Sequence, residues 1–465
     1  MNKQSFPFSV EKRKPTFTSV LQNRGFSNLW INQILISLSY NALNFALIIW
    51  VFRLTDSNTA VSALLFSIYL PAVILGLFAG VLVDVTDRKK IIMGVDLLLC
   101  FAFISLIFLK ESYIAVLMIT FLVNALVQFH TPAEASAMSI IVKKRELIIA
   151  NSIFSATFFS CFLIGFGLAG PLINHLNIDF VFGAGAFLLG LAFLLSLIFP
   201  SIYGVTDEQG KKLITAIRKK DYSAFVKTGH FEILQTIRLI KGKLPVLTSI
   251  IIMAGVQVVI GVIAVMIPSF FEKSLQIKAT DASYIVIVPL GLGIVAGGMI
   301  LGRIGGKLIK RKLVARAIIF AGVLFFLVGI APLVSPAIRH LKYPKPLPFF
   351  YQPPLSKILV TGSFLLGIAV VSILVPSQTV LQENTPEKDR GKVFATLGVA
   401  MAGLSIIPVI LSGLLADLFG TTPIFIGMGL AIFIVGLFGL NPSWFFKKDK
   451  LSYRIRQFLG LGHWE

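Results

Sequence analysis

Charge is scarce in this sequence of 465 residues, in which Asp, Glu, Lys and Arg make up 14%, against about 25% in soluble domains. Cysteine is scarcer still, and both residues, Cys100 and Cys161, lie within apolar segments. Their spacing fits neither a disulfide framework nor a zinc site, so structural zinc and redox chemistry have no support. Low charge together with an apolar content of 56% excludes a soluble enzyme of this length.

The sequence also lacks the motifs of ATP-driven and catalytic proteins. Gly305-Gly306-Lys307 is followed by leucine, so it has neither the spacing nor the Ser or Thr of a phosphate-binding loop. No His-Glu-x-x-His motif and no nucleophile elbow occurs. We therefore expect a protein that is not an enzyme, with no catalytic residues, no metal site and no cofactor.

Long apolar segments are abundant instead. A membrane-spanning helix needs roughly 20 apolar residues, and twelve such segments follow one another, with a charged segment after the sixth. They cover about 27–52, 60–83, 91–109, 113–141, 147–171, 178–200, 244–271, 281–302, 313–334, 357–381, 393–416 and 422–441. The sequence predicts an all-α membrane protein with twelve transmembrane helices in two six-helix halves.

The excess of basic residues indicates the orientation in the membrane. Lys and Arg number 42, against 21 Asp and Glu, which gives a formal net charge of +21. With the N-terminus inside, 34 of these 42 fall in cytoplasmic segments and 8 on the other side, as expected when positive loops are retained in the cytoplasm. We expect a multi-pass protein of the cytoplasmic (plasma) membrane with both termini cytoplasmic and no nucleic-acid partner.

This topology divides the chain into five segments. The expected order is a cytoplasmic N-terminal segment (1–25), an N-terminal half (26–200), a basic cytoplasmic linker (201–243), a C-terminal half (244–441) with a Pro-rich extracytoplasmic loop at 335–356, and an amphipathic cytoplasmic tail (442–465). The linker and the tail combine cations with apolar or aromatic residues, which favours contact with anionic membrane lipids. Nothing in the sequence requires a protein partner, so we expect a monomer.

Prolines and glycines recur between the two halves. Pro71 and Gly80 of the second segment correspond to Pro289 and Gly298 of the eighth at a constant offset of 218 residues. Internal duplication is the usual plan of secondary transporters, which bind substrate between the repeats near the membrane midplane.

The turn after the second segment combines glycine with charged residues. It reads Gly80-Val-Leu-Val-Asp84-Val-Thr-Asp87-Arg88, followed by two lysines, and it resembles motif A of the major facilitator superfamily, between helices 2 and 3. The resemblance implies a conformational latch with helix 11, formed here by Gly80, Asp84, Asp87, Arg88 and Arg390. A solvated, positively charged loop would explain the lysines but explains Gly80 with Asp84 poorly.

Other stretches resemble the macrolide-efflux and enterobactin-exporter-like branch of that superfamily. Thr131-Pro132-Ala133 is similar to the end of helix 4, and Arg390-Gly391-Lys392 is similar to the start of helix 11. The resemblance covers roughly 26–441 and implies a transporter that works by alternating access. The chain departs from the branch at Glu134, where a basic residue is common, and at Asn174, where glycine is usual.

Three ionisable residues lie inside the predicted helices: Asp96, His130 and Glu134. A charge at the bilayer centre costs roughly 2.5 to 3.5 kcal/mol on insertion scales, so such residues are functional candidates. His130 and Glu134 share one helical face, and we predict Glu134 as the proton-coupling residue with His130 as its partner. The alternative is an ionised Glu134 paired with a basic residue of 143–145. Asp96, little more than one turn after Lys90, fits a structural role in the cytoplasmic charge cluster better.

Amide side chains mark the predicted substrate path. The candidates, distributed over the first, fourth, seventh and tenth helices, are Asn41, Asn44, Asn124, Gln128, Gln257 and Gln378. Hydrogen bonding between helices is the alternative role, and the two roles are compatible. The rest of the cavity is expected to be apolar and aromatic, because 41 Phe are available.

These features predict a secondary active transporter for proton-linked efflux of amphiphilic or drug-like small molecules. Its expected partners are a small amphiphilic substrate, the proton and anionic membrane lipids. Two alternatives remain: a lipid or lysophospholipid flippase of the same fold, and a receptor or scaffold that does not transport.

Overall fold

The computed structural model describes residues 16–202, 243–304, 309–339, 354–386 and 390–440. Within these ranges, twelve helices are long and apolar enough to cross a membrane, which confirms the predicted fold class. The first six are α1 (Arg24–Thr55), α2 (Asn58–Val85), α3 (Arg88–Leu109), α4 (Tyr113–Ile141), α5 (Leu147–Leu176) and α6 (Ile178–Leu197). The others are α7 (Leu244–Ser269), α8 (Val288–Ile304), α9 (Lys310–Arg339), α10 (Pro354–Glu383), α11 (Arg390–Phe419) and α12 (Thr421–Leu440).

Most helix ends lie a few residues from the ends of the apolar segments. The exceptional case is the eighth span, where a π-helical turn (Ser283–Ile287) precedes α8. Pro289 has no backbone N–H, so it is accommodated in the first turn of a helix rather than in its interior. Helices α9 and α10 both extend into the loop predicted at 335–356.

A short helix, Phe17–Leu21, precedes α1 and is capped by Thr16. Most of the predicted linker, Pro-rich loop and tail, together with residues 1–15, lies outside the described residues.

Equivalent turns join the last two helices of each half. Asn177 alone separates α5 from α6, and Gly420 alone separates α11 from α12. Both residues have positive φ, 72° and 79° respectively. Such a backbone favours glycine and is tolerated by asparagine. The matching turns agree with the duplication that the sequence predicts.

The two halves meet through α2 against α11 and through α5 against the two short turns before α8, Ala279–Asp281 and Ser283–Ile287. The second contact is very close at Gly170, where a Cβ atom would lie 2.1 Å from the carbonyl oxygen of Thr280. Small residues allow helices to approach closely in a membrane, where apolar burial alone does not drive association.

Within the C-terminal half, α9 and α12 pack backbone to backbone. A Cβ at Gly322 of α9 would lie 2.5 Å from the backbone nitrogen of Phe433, and one at Gly429 of α12 would lie 2.4 Å from that of Phe326. No side chain fits at either glycine without displacing the backbone opposite, so a larger residue at either position would push these two helices apart.

Candidate transport site

In the following, the end of the bundle at which α1 begins is called proximal, and the end at which α1 ends and α2 begins is called distal. Polar contacts form three groups, one in the proximal part of the N-terminal half, one in the centre and one at the distal end.

The proximal group lies between α1, α3 and α4 and is centred on Asp96, which is fully buried. Its Oδ2 accepts a hydrogen bond of 2.8 Å from Nδ2 of Asn32. The same Nδ2 donates to the carbonyl oxygen of Ala192 in α6 at 3.1 Å. Oδ1 of Asp96 lies 3.6 Å from Nε2 of His130 in α4. The predicted proton-coupling histidine therefore faces an acid that the sequence analysis assigned to the cytoplasmic charge cluster.

Glu134 lies one turn further along α4 and is also buried. Its carboxyl group interacts electrostatically with that of Asp96. Its Oε1 has no hydrogen-bond partner in the described part of the chain, and among the described residues no ion pair involves Glu134.

The central group joins α1 to α4 and α2 to α7, with each residue near the middle of its helix. The hydroxyl of Tyr40 donates to Oδ1 of Asn124 at 2.7 Å. Nε2 of Gln257 donates to the hydroxyl of Tyr69 at 3.3 Å, a contact between the two halves. Two of the predicted amides, Asn124 and Gln257, thus bond to tyrosines that the sequence pattern does not indicate.

The other predicted substrate-path residues have different surroundings. Nδ2 of Asn41 bonds to the carbonyl oxygen of Ser37 in its own helix at 2.7 Å. Gln128 lies beside the central group, with Nε2 at 3.5 Å from the carbonyl oxygen of Asn124. Gln378 is exposed.

At the distal end, Asp417 of α11 caps the N-terminus of α2 across the two halves. Its Oδ1 accepts from the backbone and side-chain nitrogens of Asn58, both at 2.8 Å. Its Oδ2 accepts from the hydroxyls of Ser57 and Thr59 at 2.7 Å and from the backbone nitrogen of Thr59 at 2.8 Å. Five donors converge on one carboxylate, which is also favourably placed at the positive end of a helix dipole.

Two ion pairs join the same ends of the two halves. Nζ of Lys273 lies 2.9 Å from Oδ1 of Asp56, and Nε of Arg53 lies 3.9 Å from Oε1 of Glu272. Both pairs are solvent-accessible, so each contributes little by itself. With the Asp417 contacts, they hold the distal ends of α1, α2, α7 and α11 together.

Asn174 adds a further distal contact between the halves. Its Oδ1 accepts from the hydroxyl of Thr280 at 2.7 Å, and its Nδ2 donates to Oδ1 of Asp281 at 3.1 Å. This residue stands where the branch usually has glycine, and here it connects α5 to the turn before α8.

The predicted latch at the proximal end is described in part. Oδ1 of Asp87 caps α3 and accepts from the backbone nitrogen of Ile202 at 3.0 Å. Arg88 is buried, and its Nε donates to the hydroxyl of Ser136 at 3.2 Å. A Cβ at Gly80 would meet no described atom within 4 Å. The side chains of Asp84 and Arg390 lie outside the described residues, so the latch with helix 11 stays a prediction.

Comparison with known proteins gives one family across nearly the whole chain. A sequence model of the Major Facilitator Superfamily matches residues 29–341 and 346–460. The chain is 24% identical over 392 residues to the uncharacterized MFS-type transporter YfiS of Bacillus subtilis, covering 84% of this chain and 86% of that protein. It is 22% identical over 418 residues to macrolide efflux protein A of Streptococcus pyogenes, covering 89% and 94%. The predicted resemblance to macrolide-efflux proteins is confirmed.

Solved structures show the same fold at lower sequence identity. A POT family transporter in complex with 5-aminolevulinic acid superposes with a TM-score of 0.66 at 14% identity, covering 91% of this chain and 98% of that one. The nucleoside transporter NupG superposes with a TM-score of 0.61 at 14% identity, covering 90% and 99%.

Proposed function

The chain belongs to the major facilitator superfamily of membrane transporters, and from this premise we propose that it exports amphiphilic small molecules in exchange for protons. Two halves alternate access to a site between them in such secondary transporters. The Streptococcus pyogenes relative is a macrolide efflux protein, which supports export of a drug-like small molecule by this chain.

This proposal rests on one observation: the polar groups in the centre of the bundle are neutral, whereas the buried ionisable groups lie nearer the proximal end. Phenols and amides form the central contacts between Tyr40 and Asn124 and between Tyr69 and Gln257. A substrate that meets them exchanges neutral hydrogen bonds and apolar contacts, which suits an amphiphile better than a sugar or a dicarboxylate. Glu134 and His130 lie further along α4 and have the chemistry to bind and release a proton.

The orientation of the molecule belongs to the same proposal. If both termini are cytoplasmic, the distal end faces outside, and Asp417 with its neighbours closes the transporter to the exterior. The described conformation would then be the one that takes up substrate from the cytoplasm or inner leaflet. The plasma membrane is the proposed location, and the linker 201–243 and tail 442–465 are proposed to bind its anionic lipids.

The test is flux in proteoliposomes that contain the purified protein. Amphiphilic dyes, antibiotics and labelled lysolipids are offered with and without an imposed pH gradient. We expect saturable dye or antibiotic movement that requires the gradient and is lost in Glu134→Gln. Glu111→Gln, at an exposed acid of the distal turn between α3 and α4, is the matched control and should transport normally.

Other outcomes of this experiment would overturn the proposal. Lipid movement independent of the gradient would favour a flippase and return Glu134 to a structural role. Absence of saturable flux for every compound would favour a receptor or scaffold.

A further inference from the structure

We infer that Asp96, His130 and Glu134 form one shared proton-binding site, and that Asn32 transmits its charge state to α1. The inference rests on the proposed proton-linked transport and assigns the residues that hold the proton. It adds to the predicted pair an acid from a different helix and a neutral residue that positions it.

Nine buried side-chain atoms of the described residues lack a hydrogen-bond partner, and three of them belong to Asp96, His130 and Glu134. Asp96, His130 and Glu134 are 0%, 4% and 9% exposed. Within the described chain, Oδ1 of Asp96, Nε2 of His130 and Oε1 of Glu134 each lack a hydrogen-bond partner. Buried polar atoms in proteins are nearly always paired, so three such atoms in one place point to a missing bonded species. A proton supplies it, because it converts one acceptor into a donor.

The geometry fits a proton shared between Asp96 and His130. Oδ1 and Nε2 face each other at 3.6 Å, slightly beyond hydrogen-bonding range. A proton bound at either atom makes that atom a donor to the other, which favours a closer approach. Glu134, whose carboxyl interacts with that of Asp96, adds a second acid, and two neighbouring carboxyl groups resist ionising together.

The surrounding helices provide few other charges to neutralise the site. Charged residues on the packed helices lie toward the helix ends, as the sequence shows for Arg24 and Arg53 on α1, Asp84 on α2, Arg88, Lys89 and Lys90 on α3, and Asp179 on α6. Tyr40 and Tyr69 are the tyrosines of α1 and α2. Among the described residues, Asp96 is the one acid that forms an ion-pair contact with His130.

Asn32 connects the site to the substrate helix. Its Nδ2 donates to Oδ2 of Asp96 at 2.8 Å, and a carboxylate is a stronger acceptor than a neutral acid. Tyr40 of the central group is eight residues further along α1, about 12 Å at helical rise. Proton binding at Asp96 therefore weakens its hydrogen bond with Asn32. That bond holds α1, the helix that also carries Tyr40. Coupling then needs no charged residue in the substrate site.

The test is infrared difference spectroscopy of the purified full-length protein in lipid as the pH is varied. The carbonyl band of protonated carboxylic acids is followed in wild type, Asp96→Asn, Glu134→Gln and Asn32→Leu. Asp179→Asn is the matched control, because Asp179 pairs with Lys110 at the distal end of the same half. We expect Asp96→Asn to remove part of the band and to move the midpoint pH of the remainder by about one unit or more. Glu134→Gln should act reciprocally on Asp96, and Asp179→Asn should leave the buried band unchanged.

Independent behaviour would overturn the inference. If either single-acid variant leaves the midpoint of the other acid unchanged, the carboxyl groups do not share a proton. If Asn32→Leu leaves every midpoint unchanged, the link to α1 is wrong. These spectra require neither substrate nor flux. A shared site in a protein without gradient-dependent flux would refute the export proposal alone, whereas independent titration with intact coupled flux would refute this inference alone.

Discussion

At the scale of single residues, the hydroxyl of Tyr69 is the clearest link between the two halves in the middle of the bundle. It accepts a hydrogen bond from Gln257, and both side chains are half-buried. Such a position allows a substrate to compete for the same polar groups. The phenol is therefore expected to affect both the contact between halves and the affinity for substrate.

Replacing Tyr69 by Phe removes this acceptor and keeps the ring. A neutral hydrogen bond contributes about 0.5 to 1.5 kcal/mol, so we expect the half-saturation concentration of transport to rise roughly two- to tenfold. Substrate-dependence curves in proteoliposomes measure it. Tyr113→Phe is the control, because Tyr113 bonds to the carbonyl oxygen of Ala60 at the distal end. Equal effects in both variants would contradict a substrate role for Tyr69.

The surroundings of the individual candidate residues could be predicted only in part. Helical spacing indicated that His130 and Glu134 share a face, but sequence separation contains no information on which helix they face. The short distance from Lys90 indicates a place for Asp96 in the cytoplasmic charge cluster, whereas its carboxylate contacts Asn32 and faces His130. The sequence does contain one relevant signal, because Asn32 is a further amide inside the first apolar segment, in addition to Asn41 and Asn44. A buried amide needs a polar partner, which here lies on α3.

At the scale of helices, α2 and α11 pack against each other, and each end of this pair has an acid near a helix terminus. Asp417 caps the distal N-terminus of α2. The proximal counterpart predicted by the sequence is Asp84, at the end of α2 near the start of α11. Two such contacts at opposite ends could not both persist if the halves rock about their centre.

Asp417→Asn should weaken the distal contact, because an amide offers one acceptor oxygen in place of two. Since Asp417 is exposed, we expect a loss of about 1 kcal/mol, or roughly fivefold in the ratio of closed to open distal ends. Spin labels at Glu111 and Lys278, in a protein lacking Cys100 and Cys161, report the distance across this end. We expect a larger long-distance population, and Asp179→Asn should not produce one. An unchanged distribution would show that Asp417 does not hold this closure.

Asp84→Asn tests the opposite end. A carboxylate near the N-terminus of α11 is stabilising through the helix dipole, and the amide removes that charge. We expect transport to fall several-fold while the amount of protein in the membrane stays constant. Flux and membrane content are measured together, with Glu111→Gln as control. Normal transport by Asp84→Asn would remove the latch from the mechanism.

The helices themselves were largely predictable from apolar length, since a span must satisfy its backbone internally and cover the hydrocarbon. The fourth span even has the predicted bounds, 113–141. Local backbone irregularities were not predictable in this way. The π-helical turn before Pro289 and the positive φ of Asn177 depend on how neighbouring helices meet.

At the scale of the whole molecule, described cross-half hydrogen bonds lie at the distal end and in the centre, through Asp417, Asn174 and Tyr69. The two halves could be predicted from repeated prolines and glycines, but the side on which they touch could not. The end at which the halves touch depends on the conformation, so the sequence pattern does not determine it.

The orientation can be tested by thiol labelling in intact cells. In a protein without Cys100 and Cys161, a membrane-impermeant reagent should label Glu111→Cys at the distal end. Gln22→Cys at the proximal end should react only after permeabilisation. The expected asymmetry follows from the distribution of basic residues. Labelling of Gln22→Cys in intact cells would reverse the topology and, with it, the assignment of the closed side.

The backbone contact between α9 and α12 also constrains biosynthesis. Gly322 lies in α9, the third helix of the C-terminal half, but its partner surface around Gly429 belongs to α12, Thr421–Leu440. During translation, this surface of α9 therefore lacks its α12 partner until residues 421–440 have been made. We expect a chain that terminates before Thr421 to insert its earlier helices but to be less stable in the membrane, because the backbone of α9 around Gly322 and Phe326 then lacks the surface against which it packs.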